Sequence, residues 1–272
     1  MKKVRRIIAL ALVLTMTLGV AAWAGPVLDR ILERGELVVG TSGDQAPLSA
    51  KTEEGEIIGL DADLSKLMAS AMGVRLKMTA MPFADLLPAL EAGKIDMILS
   101  GMTITTKRNL RVAFVGPYYV SGKGILTKTQ SLASMQNAAD LNTPEVTLAA
   151  LEGSTSQEFV ETLLPKAELI TTKTLDEALG LLFVDRIDAL IADTPYCAVA
   201  AFRYQAKGLV AGAAPFTFEP LGIALPGNDP LLVNWVENFL ARLQGMGKLK
   251  ELRERWFNDP SWLQRLPFKA VG

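Results

Sequence analysis

Two stretches of the chain repeat one helix-to-strand unit. KIDMILSG begins at Lys94 after the helical run LLPALEAG, and RIDALIAD begins at Arg186 after DEALGLLFVD. A short apolar strand fed directly by a helix belongs in a sheet that helices cover. The same alternation extends on both sides of each copy. Before the first, ELVVGTS reads as a buried strand, and Leu60, Leu64, Leu67, Met68, Ala71 and Met72 share one helical face that Gly73 ends. VRLKMTAM then alternates as a strand, and residues 83–92 read as a helix despite Pro88. Around the second copy come the strand VTLAALEG, a helix from Gln157, the strand ELITTK, a helix from Leu175, the strand DALIAD and a helix over 194–206. Two β-α-β-α-β series predict two α/β lobes, each with a mostly parallel sheet.

The chain must cross between the lobes. YYVSGKGILTK, from Tyr118, is an extended stretch with glycines at 122 and 124, and FEPLGIALP, from Phe218, suits the return. Two crossings make a hinge. They divide the chain into a first lobe of residues 25–121 and 219–272 and a second lobe of residues 122–218. After the return, residues 230–257 are helical, with Leu232, Val236, Phe239, Leu240 and Leu243 on one face and a break at Gly245 and Gly247.

Composition narrows the chemistry. Lys2, Lys3, Arg5 and Arg6 precede an apolar run that ends in Ala22-Trp23-Ala24, the pattern of a secretory signal cut after Ala24. The full chain has 28 basic and 29 acidic residues, so removal of those four basic groups takes the formal charge from −1 to −5. No basic surface for nucleic acid is indicated. Cys197 is the single cysteine, set among small and apolar neighbours, and reads as a buried inert thiol. Histidine is absent, which removes His-dependent triads and the usual His-containing metal sites. No metal site or cofactor is implied.

Ligands of open α/β sheets sit beyond the carboxyl ends of the strands. Ser100, Gly101 and Thr103 follow one repeat copy, and Asp193 ends the other. Thr105 suits a helix N-cap and puts Arg108 at the third helical position, where a guanidinium grips a carboxylate by two parallel hydrogen bonds. A solvated arginine is the competing reading. In LEGSTSQEF, Gly153 turns the chain and Ser154 or Thr155 caps a helix, with Thr155 and Glu158 spaced as a capping box. Such an end is either an anion site or a plain cap. Asp193 before Thr194-Pro195 is either a helix N-cap or a partner for an ammonium group. An arginine, a helix-end anion site and an aspartate together match a molecule with a carboxylate and an ammonium, such as an α-amino acid.

These stretches resemble the extracytoplasmic solute-binding proteins of polar amino-acid ABC transporters (bacterial solute-binding family 3). The matching pieces are LVVGTSGDQAPLSAKTEEGEIIGLDADLSKLMA, LLPALEAGKIDMILSGMTITTKRNLRVAFVGPYY, LEGSTSQEF and RIDALIADTPY. The resemblance implies a periplasmic-binding-protein type II fold: two α/β lobes joined by a two-strand hinge that close on a ligand. It implies that Arg108 binds an α-carboxylate, helped by the Thr103 backbone and by Ser154 or Thr155. Asp193 takes the α-ammonium with Gly101 and the Thr103 hydroxyl beside it, and Phe83 forms an apolar wall. Gln45 stands where the family often has an aromatic ring, and Ser42 where members for basic amino acids tend to have an acid, although Asp44 is near. Gln45 leans the expectation toward a polar, uncharged solute. The partners implied are an amino acid-like solute and the membrane permease of an ABC transporter, with a monomeric, periplasmic protein between them. The same scaffold serves cyclohexadienyl dehydratases, in which an acid follows the aspartate-bearing strand end. Thr194 stands there in this chain, which favours binding over catalysis. A ligand-sensing subunit is the third expectation that the scaffold allows.

Overall fold

The computed structural model describes residues 25–267, so the expected secretory segment 1–24 lies outside the described residues. Ten strands form two sheets. The first contains β1 (Glu36–Thr41), β2 (Arg75–Ala80), β3 (Met97–Ile98) and β4 (Val112–Ser121). The second contains β5 (Lys123–Thr127), β6 (Thr147–Leu151), β7 (Glu168–Thr172), β8 (Ala189–Asp193) and β9 (Val210–Ala211). Finally β10 (Glu219–Pro226) returns to the first sheet. The strand orders are β2-β1-β3-β10-β4 and β7-β6-β8-β5-β9. A small three-stranded ribbon over residues 44–58 flanks the first sheet.

In each sheet four of the five strands run in one direction, and one strand runs against them. β1 is parallel to β2 and β3, and β6 is parallel to β7 and β8, as βαβ units require. The strands that enter after each crossing run the other way: β5 is antiparallel to β8, and β10 is antiparallel to β3 and β4. The cause is where they begin. Strands such as β8 run toward the cleft, whereas a strand that enters from the cleft runs away from it. The first residues of β5 and β10, Lys123 and Glu219, are therefore placed beside the carboxyl ends of the strands that point there.

The helices cover the sheets as their patterns require. Leu60–Met72, Pro230–Gly245 and Lys248–Phe257 pack a core with Leu64, Met68, Val236 and Trp256 buried in it. A smaller core in the second lobe holds Ile125, Phe159 and Ile191. A third apolar cluster crosses between the lobes through Phe83, Leu151 and Leu175. The expected helix over 194–206 is an α-helix, Thr194–Arg203, followed by a short 3-10 turn, Gln205–Lys207.

Asp229 ties the two ends of the first lobe together. Its carboxylate is fully buried and accepts from Val27 N and Leu28 N with one oxygen and from Leu232 N with the other, all at 2.8 Å. It thus caps two helices, Pro26–Arg34 and Pro230–Gly245, that are far apart in sequence and both begin with proline. Amide groups at two helix N-termini and their dipoles favour a negative charge there. Asp229→Ala is expected to cost about 3 kcal/mol, because it leaves three buried donors without an acceptor. Thermal denaturation should show a fall in Tm on the order of 10 °C, and an unchanged Tm would refute the double cap.

Candidate functional site

Gln45, Phe83, Gly101, Thr103, Arg108, Ser154, Thr155 and Asp193 line one narrow cavity of about 20 Å³ at the cleft between the sheets, together with Lys123. That space holds about one water. A solute of several heavy atoms therefore enters only when the lobes part or these side chains move. Ser100 points elsewhere, its hydroxyl accepting from Ser42 N at 2.9 Å.

Arg108 is set by its own turn. The Thr105 hydroxyl accepts from Arg108 N at 3.1 Å and caps the short helix Thr106–Asn109. The guanidinium lies buried, not solvated, with its carbon 5.6 Å from the centre of the Phe83 ring. It donates to Thr103 O at 2.8 Å and, across the cleft, to Gly153 O at 3.0 Å. Among the described residues no carboxylate lies within ion-pair distance of it. Burial lowers its pKa, and the more distant charges of Glu219, Glu158 and Asp193 oppose that. The group is a cation held by two neutral carbonyls and the Phe83 ring.

Opposite it begins the helix Thr155–Leu163. Ser154 is the cap, its hydroxyl accepting from Ser156 N and Gln157 N at 3.2 Å. The capping box expected of Thr155 and Glu158 does not form: with Ser154 as the cap, Gln157 reaches back past it, and its Oε1 accepts from Gly153 N at 2.8 Å. The Thr155 hydroxyl is thereby free to face the cleft. It lies 3.2 Å from the Thr103 hydroxyl and donates to Glu219 Oε2 at 3.0 Å.

Asp193 does not cap the helix that follows it. Its Oδ1 sits 2.8 Å from Lys123 Nζ and its Oδ2 accepts from Gln45 Nε2 at 2.5 Å. Lys123 faces Asp193 directly in the register of β5 and β8, and both side chains are buried. Its ammonium also reaches Glu219 Oε2 at 3.6 Å. Glu219 stands behind the cavity wall and accepts from Thr103 at 2.7 Å and Thr217 at 2.8 Å as well as from Thr155. Burial pushes its carboxyl up, but Lys123 and the three hydroxyls outweigh this and hold it below the usual carboxylate range. Gln45 turns inward, and its Oε1 is buried without a hydrogen-bond partner.

The sequence reading misses Lys123 and Glu219. Each is a charged residue heading a strand otherwise rich in buried apolar positions. Asp44, near in sequence, does not line the cavity. Its carboxylate accepts from Leu175 N at 2.7 Å and so joins the first lobe to the start of a second-lobe helix.

The chain matches the model of the bacterial extracellular solute-binding proteins, family 3, over residues 37–259. It belongs to that family. Among curated proteins it is 28% identical to cyclohexadienyl dehydratase of Pseudomonas aeruginosa over 237 residues, 84% of this chain and 85% of that one. It is 26% identical to an L-cystine-binding protein of Escherichia coli over 251 residues, 92% of this chain and 93% of that one. Among solved structures it is similar to a putative ABC transporter binding component of Wolinella succinogenes complexed with lysine. The TM-score is 0.80, with 38% identity, and the match covers 85% of this chain and 99% of that one. Most relatives of the chain are binding proteins, and its fold is the type II periplasmic architecture of two α/β lobes.

Behind the site of this family member, Asp61 supports Gly101. Gly101 has φ 56°, and a Cβ there would lie 2.9 Å from Gln45 Oε1, so the position requires glycine. Its amide donates to Asp61 Oδ2 at 2.9 Å, and the Tyr118 hydroxyl bonds the same carboxyl. Complete burial pushes the Asp61 carboxyl up to about 7 from 3.8, against those two bonds. Protonation therefore favours the folded state. The contribution is fully present below pH 3.8 and is lost as pH rises toward 7. Asp61→Asn should flatten the fall in Tm between about pH 4 and pH 7. A melting series in which the variant keeps the wild-type slope would show that Asp61 is not the group titrating.

Proposed function

We propose that this protein captures a small amino acid-like carboxylate outside the cytoplasm and hands it to the permease of an ABC transporter. In this reading residues 1–24 direct export and are removed after Ala24, leaving a monomer in the periplasm. Residues 25–121 with 219–272 and residues 122–218 are the two bodies that close. The observation that carries the reading is Arg108: a buried cation at the cleft, with no carboxylate partner among the described residues, facing a capped helix N-terminus.

Opening would take Gly153 O away from Arg108 and Asp193 away from Gln45, leaving each group able to meet a solute. Closing would then sequester that solute against Phe83 and the Ser154 turn. Among the described residues no helix is long and apolar enough to cross a membrane, and a separate permease is the natural partner for a protein of this family. Binding without catalysis is supported by the state of the acids. Glu219 is held ionised behind the wall, and the position after Asp193 is Thr194.

The test is thermal unfolding of refolded protein against a panel of amino acids and small carboxylic acids. Ligand at about 1,000 times its dissociation constant adds roughly 4 kcal/mol, a rise in midpoint on the order of 10 °C. Arg108→Ala is expected to weaken binding by at least about a hundredfold, since a charge-assisted bidentate contact is lost. Its midpoint without ligand should stay within a few degrees of wild type. Equal affinity in Arg108→Ala would refute the assigned pocket, and turnover of prephenate or arogenate would reverse the choice of binding over catalysis.

A further inference from the structure

We propose that Lys123 determines specificity by standing where a ligand's α-ammonium would stand, so that the cleft selects small 2-hydroxy carboxylates over the corresponding α-amino acids. This deepens the carboxylate-binding reading above and rests on it.

Asp193 is the carboxylate that an incoming ammonium would seek, and only one of its two oxygens is released when the lobes open. Lys123 Nζ holds one at 2.8 Å and Gln45 Nε2 the other. Lys123 has little freedom to leave. Its side chain is 3% exposed, its backbone is fixed opposite Asp193, and its own amide donates to the Thr217 hydroxyl at 3.0 Å. A second ammonium at Asp193 would either face Lys123 at close range or break a buried ion pair, and both are strongly unfavourable.

The remaining negative charge is not offered to the solute. Glu219 lies outside the cavity lining, behind Thr103 and Thr155, with three hydroxyls and Lys123 on its carboxylate. Two groups at the cavity stay without a matching partner. One is the Arg108 guanidinium, which calls for an anion. The other is Gln45 Oε1, buried and unbonded beside Gly101, which calls for a hydrogen-bond donor. With the Lys123 ammonium already on Asp193, a second cation there would face the first, so the donor that fits is uncharged. A carboxylate with a hydroxyl on the adjacent carbon satisfies both groups and leaves the Lys123–Asp193 pair intact.

The experiment uses the protein without residues 1–24, refolded from denaturant, and compares matched pairs by thermal shift and calorimetric titration. Suitable pairs are L-lactate with L-alanine, L-malate with L-aspartate, 2-hydroxyglutarate with L-glutamate, and 3-phenyllactate with L-phenylalanine. For at least one pair the hydroxy acid should bind at least about tenfold more tightly than the amino acid. Lys123→Met should reverse that preference, since it frees Asp193 for an ammonium. The wild-type comparison stands by itself if the variant fails to fold. Tighter binding of the amino member in the wild type would overturn the role of Lys123 while leaving the carboxylate reading in place. No binding of either series by folded wild type would overturn both.

Discussion

The buried charge cluster at the cleft is there because of one topological constraint: the chain passes between two sheets whose strands point their carboxyl ends at each other. Strands made by βαβ units deliver their last residues, or the turn just past them, to the cleft, as β8 delivers Asp193 and the turn after β3 delivers Gly101. A strand that enters from the cleft must run backwards and delivers its first residue. Hence Lys123 at the head of β5 is forced beside Asp193 at the end of β8. Glu219 at the head of β10 arrives on the other side of the same ammonium. Register brings Lys123 opposite Asp193, and the crossing strands bring Glu219 to the same ammonium from the other sheet.

Once placed, these charges constrain one another. An isolated ammonium or carboxylate in a buried site carries a large desolvation cost, so each must be paired or bonded. Lys123 serves two acids, and Glu219 adds three hydroxyls to its share. Arg108 sits apart from this cluster, bonded to carbonyls and stacked on Phe83. The cleft is therefore electrically uneven, with one lysine between two acids at one end and, at the other, a cation without a carboxylate partner among the described residues. Such unevenness sets the orientation of any small polar solute, since its anionic end has one place to go.

What was legible in the sequence was whatever local chemistry decides. Arg108 could be placed because Thr105 and its turn lie three residues away, and Gly101 because it follows an apolar strand. The two lobes followed from the repeated helix-to-strand unit, and the break near Gly245 and Gly247 from residues within one turn of it. Features that depend on distant partners were not legible. Asp229 reads as an ordinary loop residue, and only the packing of two helix starts makes it a double cap. Of the two caps that the sequence allows, Ser154 is the one used, and the residue that reaches back to Gly153 N is Gln157, not Glu158. Lys123 was hidden for the same reason as Glu219: its meaning lies in an antiparallel register that a reading based on βαβ alternation does not anticipate.

The contacts across the cleft also bear on how closure could report binding. Arg108 with Gly153 O, Gln45 with Asp193, the Thr103 and Thr155 hydroxyls, and Asp44 with Leu175 N all join one lobe to the other through protein groups alone. A ligand shifts an opening equilibrium only by the difference in its free energy of interaction with the two forms. Contacts that the protein makes for itself favour the closed form whether or not a solute is inside, and so reduce the share of closure that binding controls. A solute that merely replaces Gly153 O on Arg108 would exchange one partner for another. One that adds an anion there, and a donor to Gln45 Oε1, supplies interactions that the protein does not make for itself, and these can discriminate a loaded cleft from an empty one.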